Sequence, residues 1–227
     1  MKKKSSYRWL IWIILAVVLI GVALMHILPH TSTDSVYITN IVYGRNYDMD
    51  INENELKKIS IRGRVAYGIA CFERALIFYH CKNNVWIDVI KKLWDYTSIE
   101  YIDDWYYEMA EYIPDSLLET DYYDKDDFEY LAETDFRTLK LCYKESNIVL
   151  SKIFRLIFEI GTLEIYGKLE NYSVVTLKKL LEIIELMKKE KIKLPDEKPF
   201  LRYKYSEYGG WGERFNGQEL SILLKNV

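Results

Sequence analysis

The chain has 227 residues, of which 50% are apolar and 29% are charged, and its formal net charge is -3. An apolar share of this size excludes an intrinsically disordered chain, and the length is sufficient for one sizeable hydrophobic core. The charge is distributed unevenly: the N-terminus is basic, and a segment in the middle of the chain is strongly acidic.

Residues 9–28 form an uncharged run of 20 residues behind a basic N-terminus. A helix of this length spans about 30 Å at about 1.5 Å per residue, which matches the hydrocarbon core of a bilayer. Residues 1–8 contain four basic residues and no acid, whereas Arg45 is the one basic side chain within residues 29–47. Because basic flanks tend to stay in the cytoplasm, we predict a single-pass anchor with an extracytoplasmic C-terminal domain. A cleaved secretory signal remains the alternative, although its apolar core is usually shorter.

A connector of residues 29–51, with a strand-like piece VYITNIVY, is predicted to follow the anchor. Helix signals begin at Asn52, where Glu55 three residues on forms a capping box and Ile51 and Leu56 form a hydrophobic staple. Residues 52–227 are therefore predicted to be a mainly α, bundle-like helical domain.

Apolar residues recur at helical spacing over residues 62–81, which predicts a core helix. Similar patterns predict helices over residues 85–96, 102–112 and 127–132. The long apolar pattern of residues 135–168 predicts the central helix of the domain, with a break near Ser146.

The C-terminal part of the sequence contains signals for both helix and strand. Ser173 is predicted to cap a helix that ends in a run of lysines before Pro195. The alternation of apolar and basic residues over 201–205 predicts a strand, and pairing with residues 36–43 would give a small two-stranded β element. Asn216 is predicted to cap a closing helix.

The sequence lacks the motifs HExxH, GxSxG and CxxC, and it lacks a phosphate-binding loop that ends in Gly-Lys-Ser/Thr. His26 and His30 flank the predicted membrane segment, and His80 beside Cys81 belongs to no recognised metal-ligand framework. We therefore predict no enzymatic activity, no cofactor and no metal site.

Three cysteines leave one thiol unpaired if the domain is extracytoplasmic. Cys71 and Cys81 would lie about 15 Å apart on one helix, too far for a disulfide. A disulfide that involves Cys142 stays open.

Residues 100–135 contain fourteen acidic residues and one basic residue, Lys125, together with many aromatic residues. Because these like charges repel one another, the segment should lie at the surface, where water and salt screen them. Aromatic residues among carboxylates are typical of a binding surface for a basic partner. The predicted partner-binding residues are Asp103, Asp104, Trp105, Glu108, Glu111, Asp121, Tyr122, Tyr123, Asp124, Asp126 and Asp127.

Two other interpretations of this segment remain. The helices could be ordinary acidic helices whose aromatic residues belong to the core. Calcium binding is the second, although DYYDKDDFE lacks the glycine and the spacing of a known calcium loop.

The segments GRVAYGIACFERAL, WIDVIKKLWDYT, IDDWYYEM, IPDSLLE and GGWGERFNGQELSILL resemble the mostly helical predicted immunity proteins of bacterial polymorphic toxin systems. The resemblance covers roughly residues 60–227 and rests on pattern and composition. It implies a non-enzymatic inhibitor that binds a cognate toxin protein, with no nucleic acid and no small-molecule substrate as partner. It also implies scaffold roles for Arg64, Glu73, Trp86, Trp94, Trp105 and Trp211.

The predicted anchor departs from the soluble members of this class. It places the chain in the bacterial inner membrane, so that the toxin would act in the cell envelope. Two alternatives are an envelope accessory protein without a toxin partner and an enzyme with an unrecognised carboxylate site formed by Glu73, Asp103, Asp104 and Glu108.

Overall fold

A computed structural model of the chain describes residues 52–81 and 83–226. The predicted membrane segment of residues 9–28 and the predicted connector of residues 29–51 lie outside these described residues. Among the residues that are described, no helix combines the length and the apolar character needed to cross a bilayer.

The prediction of a mainly α fold is confirmed, since the described residues form helices and no strand longer than a single bridge. The helices are α1 (Glu53–Lys58), α2 (Ile61–Phe78), α3 (Asn84–Asp95), α4 (Ile102–Tyr112), α5 (Pro114–Glu119), α6 (Glu133–Glu145), α7 (Ile148–Thr162) and α8 (Val174–Lys189). Four short 3₁₀ helices follow at Lys198–Phe200, Tyr208–Gly210, Gly217–Leu220 and Leu224–Asn226.

Helix α2 forms the centre of the core and packs against both α7 and α8. All of its residues from 61 to 73 are buried, so the helix is covered on every side. Gly68 allows the close approach, because a Cβ at this position would lie 3.0 Å from Ile157 Cγ1 and 3.3 Å from Ile183 Cδ1. Residues 135–168 are predicted to form the central helix, whereas α2 occupies the centre of the core in the structure.

Short polar side chains begin several helices, as the sequence predicted for Asn52. The Oδ1 atom of Asn52 accepts a hydrogen bond of 3.0 Å from Asn54 N, and Asn83 accepts one of 3.1 Å from Trp86 N. The predicted break near Ser146 is confirmed, because α6 ends at Glu145 and Asn147 caps α7. Ser173 also precedes α8 as predicted, but its backbone is left-handed and its side chain does not cap the helix.

Three predicted elements are wrong. Residues 127–132 form turns and extended chain, because their backbone N–H groups bond to a side chain of α4. Residues 201–205 form no strand, and one bridge joins Lys204 to Ile59. The closing helix after Asn216 is a single 3₁₀ turn, Gly217–Leu220.

The buried Arg64 joins three parts of the chain. Its guanidinium donates hydrogen bonds of 3.0 Å to the carbonyl of Ser173, 2.8 Å to Thr176 Oγ1 and 3.0 Å to the carbonyl of Lys57. Burial lowers the pKa of Arg64 to about 10, so the group stays charged at neutral pH. This cation therefore holds α1 and the start of α8 against α2.

The buried Glu73 binds the C-terminal tail. Its carboxylate accepts hydrogen bonds of 2.8 Å from Trp94 Nε1 and 2.7 Å from Ile222 N, and a further one from Ser221 Oγ. Burial raises the pKa of Glu73, although these donors oppose the rise. Arg64 and Glu73 thus hold distant segments together from the interior.

Candidate functional site

Helix α4 presents one apolar face to the core and one acidic face to solvent. Trp105, Met109 and Tyr112 are buried, at the spacings of four and three that lie on one side of a helix. Asp103 and Asp104 are exposed in its first turn, where negative charge interacts favourably with the helix dipole. The amphipathic sequence of α4 therefore fixes which carboxylates face outward.

Trp105 is the residue that holds α4 in place. The side chain is 1% exposed, and its indole N–H donates a hydrogen bond of 2.9 Å to the carbonyl of Lys92. The ring contacts Tyr96 edge-on, with centroids 4.8 Å apart, and stacks on Phe158 at 5.9 Å. A Cβ on Gly161 would lie 3.2 Å from Trp105 Cζ3, so the glycine makes room for the indole. Trp105 thus belongs to the core, beneath the acidic face.

Glu108 forms an ion pair with Lys92 of α3. The ammonium of Lys92 also lies 4.9 Å from the centre of the Tyr112 ring. Burial lowers the pKa of Lys92, but the hydrogen bond with Glu108 and the neighbouring Tyr112 raise it. Together these two effects exceed the effect of burial, so the pKa of Lys92 lies above its ordinary value. Part of the charge of α4 is therefore neutralised at the junction with α3.

Glu111 holds the loop between α5 and α6. Its two carboxylate oxygens accept backbone hydrogen bonds of 2.8 Å from Glu129, 2.9 Å from Tyr130 and 2.8 Å from Leu131. Hydrogen bonds from backbone N–H groups to a charged acceptor are stronger than neutral ones. Glu111 thereby fixes the acidic loop beside α4.

An aromatic cluster supports the other side of the same loop. Tyr123 stacks on Phe128 with centroids 5.2 Å apart, and both contact the buried Phe136 of α6. Tyr122 is 75% exposed. Asp124 accepts a hydrogen bond of 3.0 Å from Asp126 N, which closes a tight turn.

A groove of about 330 Å³ is lined by residues of this loop and of α6. Its lining consists of Asp121, Tyr122, Tyr123, Phe136, Arg137, Lys140, Leu141 and Lys144. Three of these residues are basic, so the surroundings of Asp121 differ from those of the carboxylates on α4.

Tyr130 lies among carboxylates from both α4 and the loop. The pKa of its hydroxyl is above the ordinary value because of desolvation and then the nearby charges of Glu129, Asp104, Glu111 and Glu108. The side chain is 43% exposed. An exposed tyrosine therefore lies within a concentrated negative field.

Tyr166, which follows α7, extends this surface. Its hydroxyl interacts with that of Tyr107, and Asp103 is also close enough to raise its pKa. Tyr166 is 80% exposed and Tyr107 is 53% exposed. We call the surface formed by Asp103, Asp104, Tyr107, Glu129, Tyr130 and Tyr166 the acidic tyrosine face.

The structure brings together some predicted site residues and separates others. Asp104, Glu108 and Glu111 lie near Tyr130, and Asp103 lies near Tyr166, whereas Asp121, Tyr122 and Tyr123 line the groove beside α6. Asp124, Asp126 and Asp127 are exposed in the loop.

The exposed Tyr107, Tyr130 and Tyr166 were not among the predicted binding residues. The exposure of Tyr107 could have been predicted from the sequence, because its spacing from the buried Trp105 and Met109 places it on the other side of α4. Nothing in the sequence connects Tyr166 with α4, which lies more than fifty residues earlier.

The proposed carboxylate site gains no support from the geometry. Glu73 is buried, and its carboxylate already accepts hydrogen bonds from Trp94 and the C-terminal tail. Asp103 and Asp104 are exposed on α4, and Glu108 is paired with Lys92. Within residues 52–81 and 83–226, no group of three or more His, Cys, Asp or Glu side chains could hold a metal ion.

Comparison of the chain with protein-family models, with curated proteins and with solved structures finds no match.

Proposed function

We propose that the chain is a membrane-anchored immunity protein that neutralises a cognate bacterial toxin by stoichiometric binding. The acidic tyrosine face is the contact surface, and the toxin presents a basic patch to it. Residues 9–28 anchor the protein in the inner membrane, and the helical domain meets the toxin outside the cytoplasm.

The observation that most supports this proposal is the combination of unpaired carboxylates and exposed tyrosines on one face. Within the described part of the chain, Asp103, Asp104 and Glu129 form no ion pair with a basic residue of their own domain. Such charges raise the rate at which a basic partner associates, because opposite potentials guide diffusional encounter.

The tyrosines supply the short-range part of the interface. A tyrosine offers a large contact area, loses little conformational freedom and adds a hydroxyl that can form hydrogen bonds. Tyr107 lies on a helix that Trp105 fixes to the core, and Tyr130 lies on a loop that Glu111 holds. The face is thus arranged before the partner binds, which lowers the entropic cost of association.

The first experiment identifies the partner. The proteins encoded next to this gene are each mixed with the purified full chain, and the stoichiometry of any complex is measured by light scattering. We expect a one-to-one complex and protection of cells that produce the toxin in their envelope. Absence of a complex would contradict the proposal and favour an accessory role in the envelope.

A second experiment tests the tyrosines. Tyr107→Ala should speed dissociation of the complex, whereas Tyr172→Ala removes another exposed tyrosine outside the face and should leave it unchanged. Equal effects of the two variants would contradict the assignment of the interface.

The location of the domain needs a separate test. A tag at the C-terminus of the full chain should be digested by protease added to spheroplasts. Protection of the tag would place the domain in the cytoplasm and exclude a toxin that acts in the envelope.

A further inference from the structure

Two thiols, one just after the end of α2 and one near the end of α6, line one cavity. Cys81 follows the last turn of α2, and Cys142 lies in the last turn of α6. The cavity has a volume of about 440 Å³ and also contacts His80, Asn83 and Glu145. Both thiols are partly exposed, so a small reagent can reach each of them.

The elements that bear the two thiols are held together by packing and polar contacts. Asn83 caps α3, and its Nδ2 atom lies 3.9 Å from Cys142 Sγ. Trp86 of α3 packs on Tyr143, the neighbour of Cys142, with ring centroids 5.4 Å apart. The backbone N–H of Cys81 donates a hydrogen bond of 2.8 Å to the carbonyl of Leu76, which fixes the end of α2.

We propose that Cys81 and Cys142 form a reversible disulfide across this cavity, and that Cys71 remains a free thiol. The oxidant is a disulfide, either a small molecule such as oxidised glutathione or a protein thiol oxidoreductase. One thiolate attacks the oxidant to give a mixed disulfide, and the second thiolate then displaces the leaving thiolate. In total the two cysteines lose two protons and two electrons, and the oxidant is reduced to two thiols.

The three cysteines differ in accessibility. Cys71 is completely buried in α2, and burial raises the pKa of its thiol far above the ordinary value. Burial also raises the pKa of Cys81 and of Cys142; for Cys142, the hydrogen bond from Asn83 opposes the rise and the neighbouring Cys81 adds to it. Because the thiolate is the reacting form, bridge formation should become faster as the pH rises.

The disulfide would connect residues that are 61 positions apart in the sequence. The segment between them includes all of residues 100–135, and therefore α4 and the acidic loop. A crosslink of this span restricts the unfolded chain far more than the folded one, so it stabilises the fold. We expect the melting temperature to rise by about 5 to 15 °C on oxidation.

The test uses the purified full chain, incubated with an excess of oxidised glutathione at mildly alkaline pH. Peptide mapping without reduction should show Cys81 linked to Cys142, and one of the three thiols should remain reactive after unfolding. Dithiothreitol should reverse both the link and the rise in melting temperature. Cys71→Ala keeps both reacting thiols and should form the same link, whereas Cys81→Ala and Cys142→Ala should show no rise.

Several results would overturn this inference. These are glutathione adducts without a Cys81–Cys142 peptide, three thiols that stay reactive, or a link that involves Cys71. Peptide mapping of the unsubstituted chain shows whether Cys81 and Cys142 are linked, even if a cysteine variant fails to fold.

Discussion

The carboxylate of Glu111 accepts a hydrogen bond of 2.8 Å from the backbone N–H of Leu131, twenty residues further along the chain. Together with the bonds from Glu129 and Tyr130, it joins the acidic loop to α4. The most acidic part of the sequence is thus held in place by one of its own carboxylates.

Replacement of Glu111 should loosen the loop. Glu111→Ala leaves three backbone N–H groups without their acceptor, and we expect a loss of about 1 to 3 kcal/mol in the free energy of unfolding. Hydrogen exchange at Glu129, Tyr130 and Leu131 should become faster. Glu119→Ala removes an exposed acid at the end of α5 and should change neither quantity. Unchanged exchange at the three amides in Glu111→Ala would contradict the role of Glu111.

The stability of the fold should depend on pH through Glu73, which binds the C-terminal tail. The folded state raises the pKa of this carboxyl through burial, so over the interval between the unfolded and the folded pKa the folded state binds more protons. The contribution of Glu73 to stability therefore decreases as the pH rises through that interval. In Glu73→Gln this contribution is absent.

Denaturant unfolding of the unsubstituted chain and of Glu73→Gln across the acidic pH range tests whether the contribution of Glu73 decreases as the pH rises. The difference in unfolding free energy, unsubstituted chain minus Glu73→Gln, should become smaller as the pH rises. A difference that grows with pH would show that the hydrogen bonds from Trp94, Ser221 and Ile222 outweigh burial.

Helix α8 ends in a backbone conformation that glycine prefers. Lys191 has a φ of 58°, and the N–H of Ile192 donates to the carbonyl of Met187, as in a Schellman motif. Lys191→Gly should stabilise the fold by about 0.5 to 1 kcal/mol, because the left-handed conformation strains a residue with a Cβ. Lys178→Gly, at an exposed position within the helix, should destabilise it by about 1 kcal/mol. Thermal unfolding measures both changes, and the same sign for both would contradict this account.

The space beside Trp105 gives a further test. A Cβ on Gly161 would lie 2.9 Å from Tyr96 Cε2 and 3.2 Å from Trp105 Cζ3, within a packed core. Gly161→Ala should therefore destabilise the fold by about 1 to 3 kcal/mol and displace α4. The matched change Gly167→Ala should have a small effect, because its one close contact, at 3.2 Å, is the flexible end of Glu164, and its distances of 3.7 and 4.0 Å to the Glu164 backbone are ordinary van der Waals contacts. Similar unfolding free energies for the two variants would contradict the packing described here.

Local signals predicted the helices that are amphipathic and capped. The helix predicted over residues 102–112 coincides with Ile102–Tyr112, and the break near Ser146 lies where Asn147 caps α7. In both cases the information is contained in a few adjacent residues. The spacing of the apolar residues predicts which face of the helix is buried, and a short polar side chain predicts where the helix begins.

Contacts between distant residues decided the elements that the sequence did not predict. Residues 127–132 form no helix, since Glu111 binds the amides that a helix there would use. Apolar and basic residues alternate over residues 201–205, as they do in a strand. This segment nevertheless forms a single β-bridge, between Lys204 and Ile59, the residue that follows α1. Likewise Tyr166 joins the acidic tyrosine face only because α7 packs beside α4. No local pattern contains that information.

The association rate of the toxin at low and high salt tests the central claim most directly. For the unsubstituted chain, the rate constant should fall by roughly tenfold or more as salt screens the acidic tyrosine face. The double variant Asp103→Lys and Asp104→Lys should associate slowly at low salt and respond little to added salt. The control Glu185→Lys with Glu213→Lys alters net charge equally at exposed sites outside the face, and should retain most of the rate. A salt-independent rate, or equal loss in the two double variants, would contradict binding through this face.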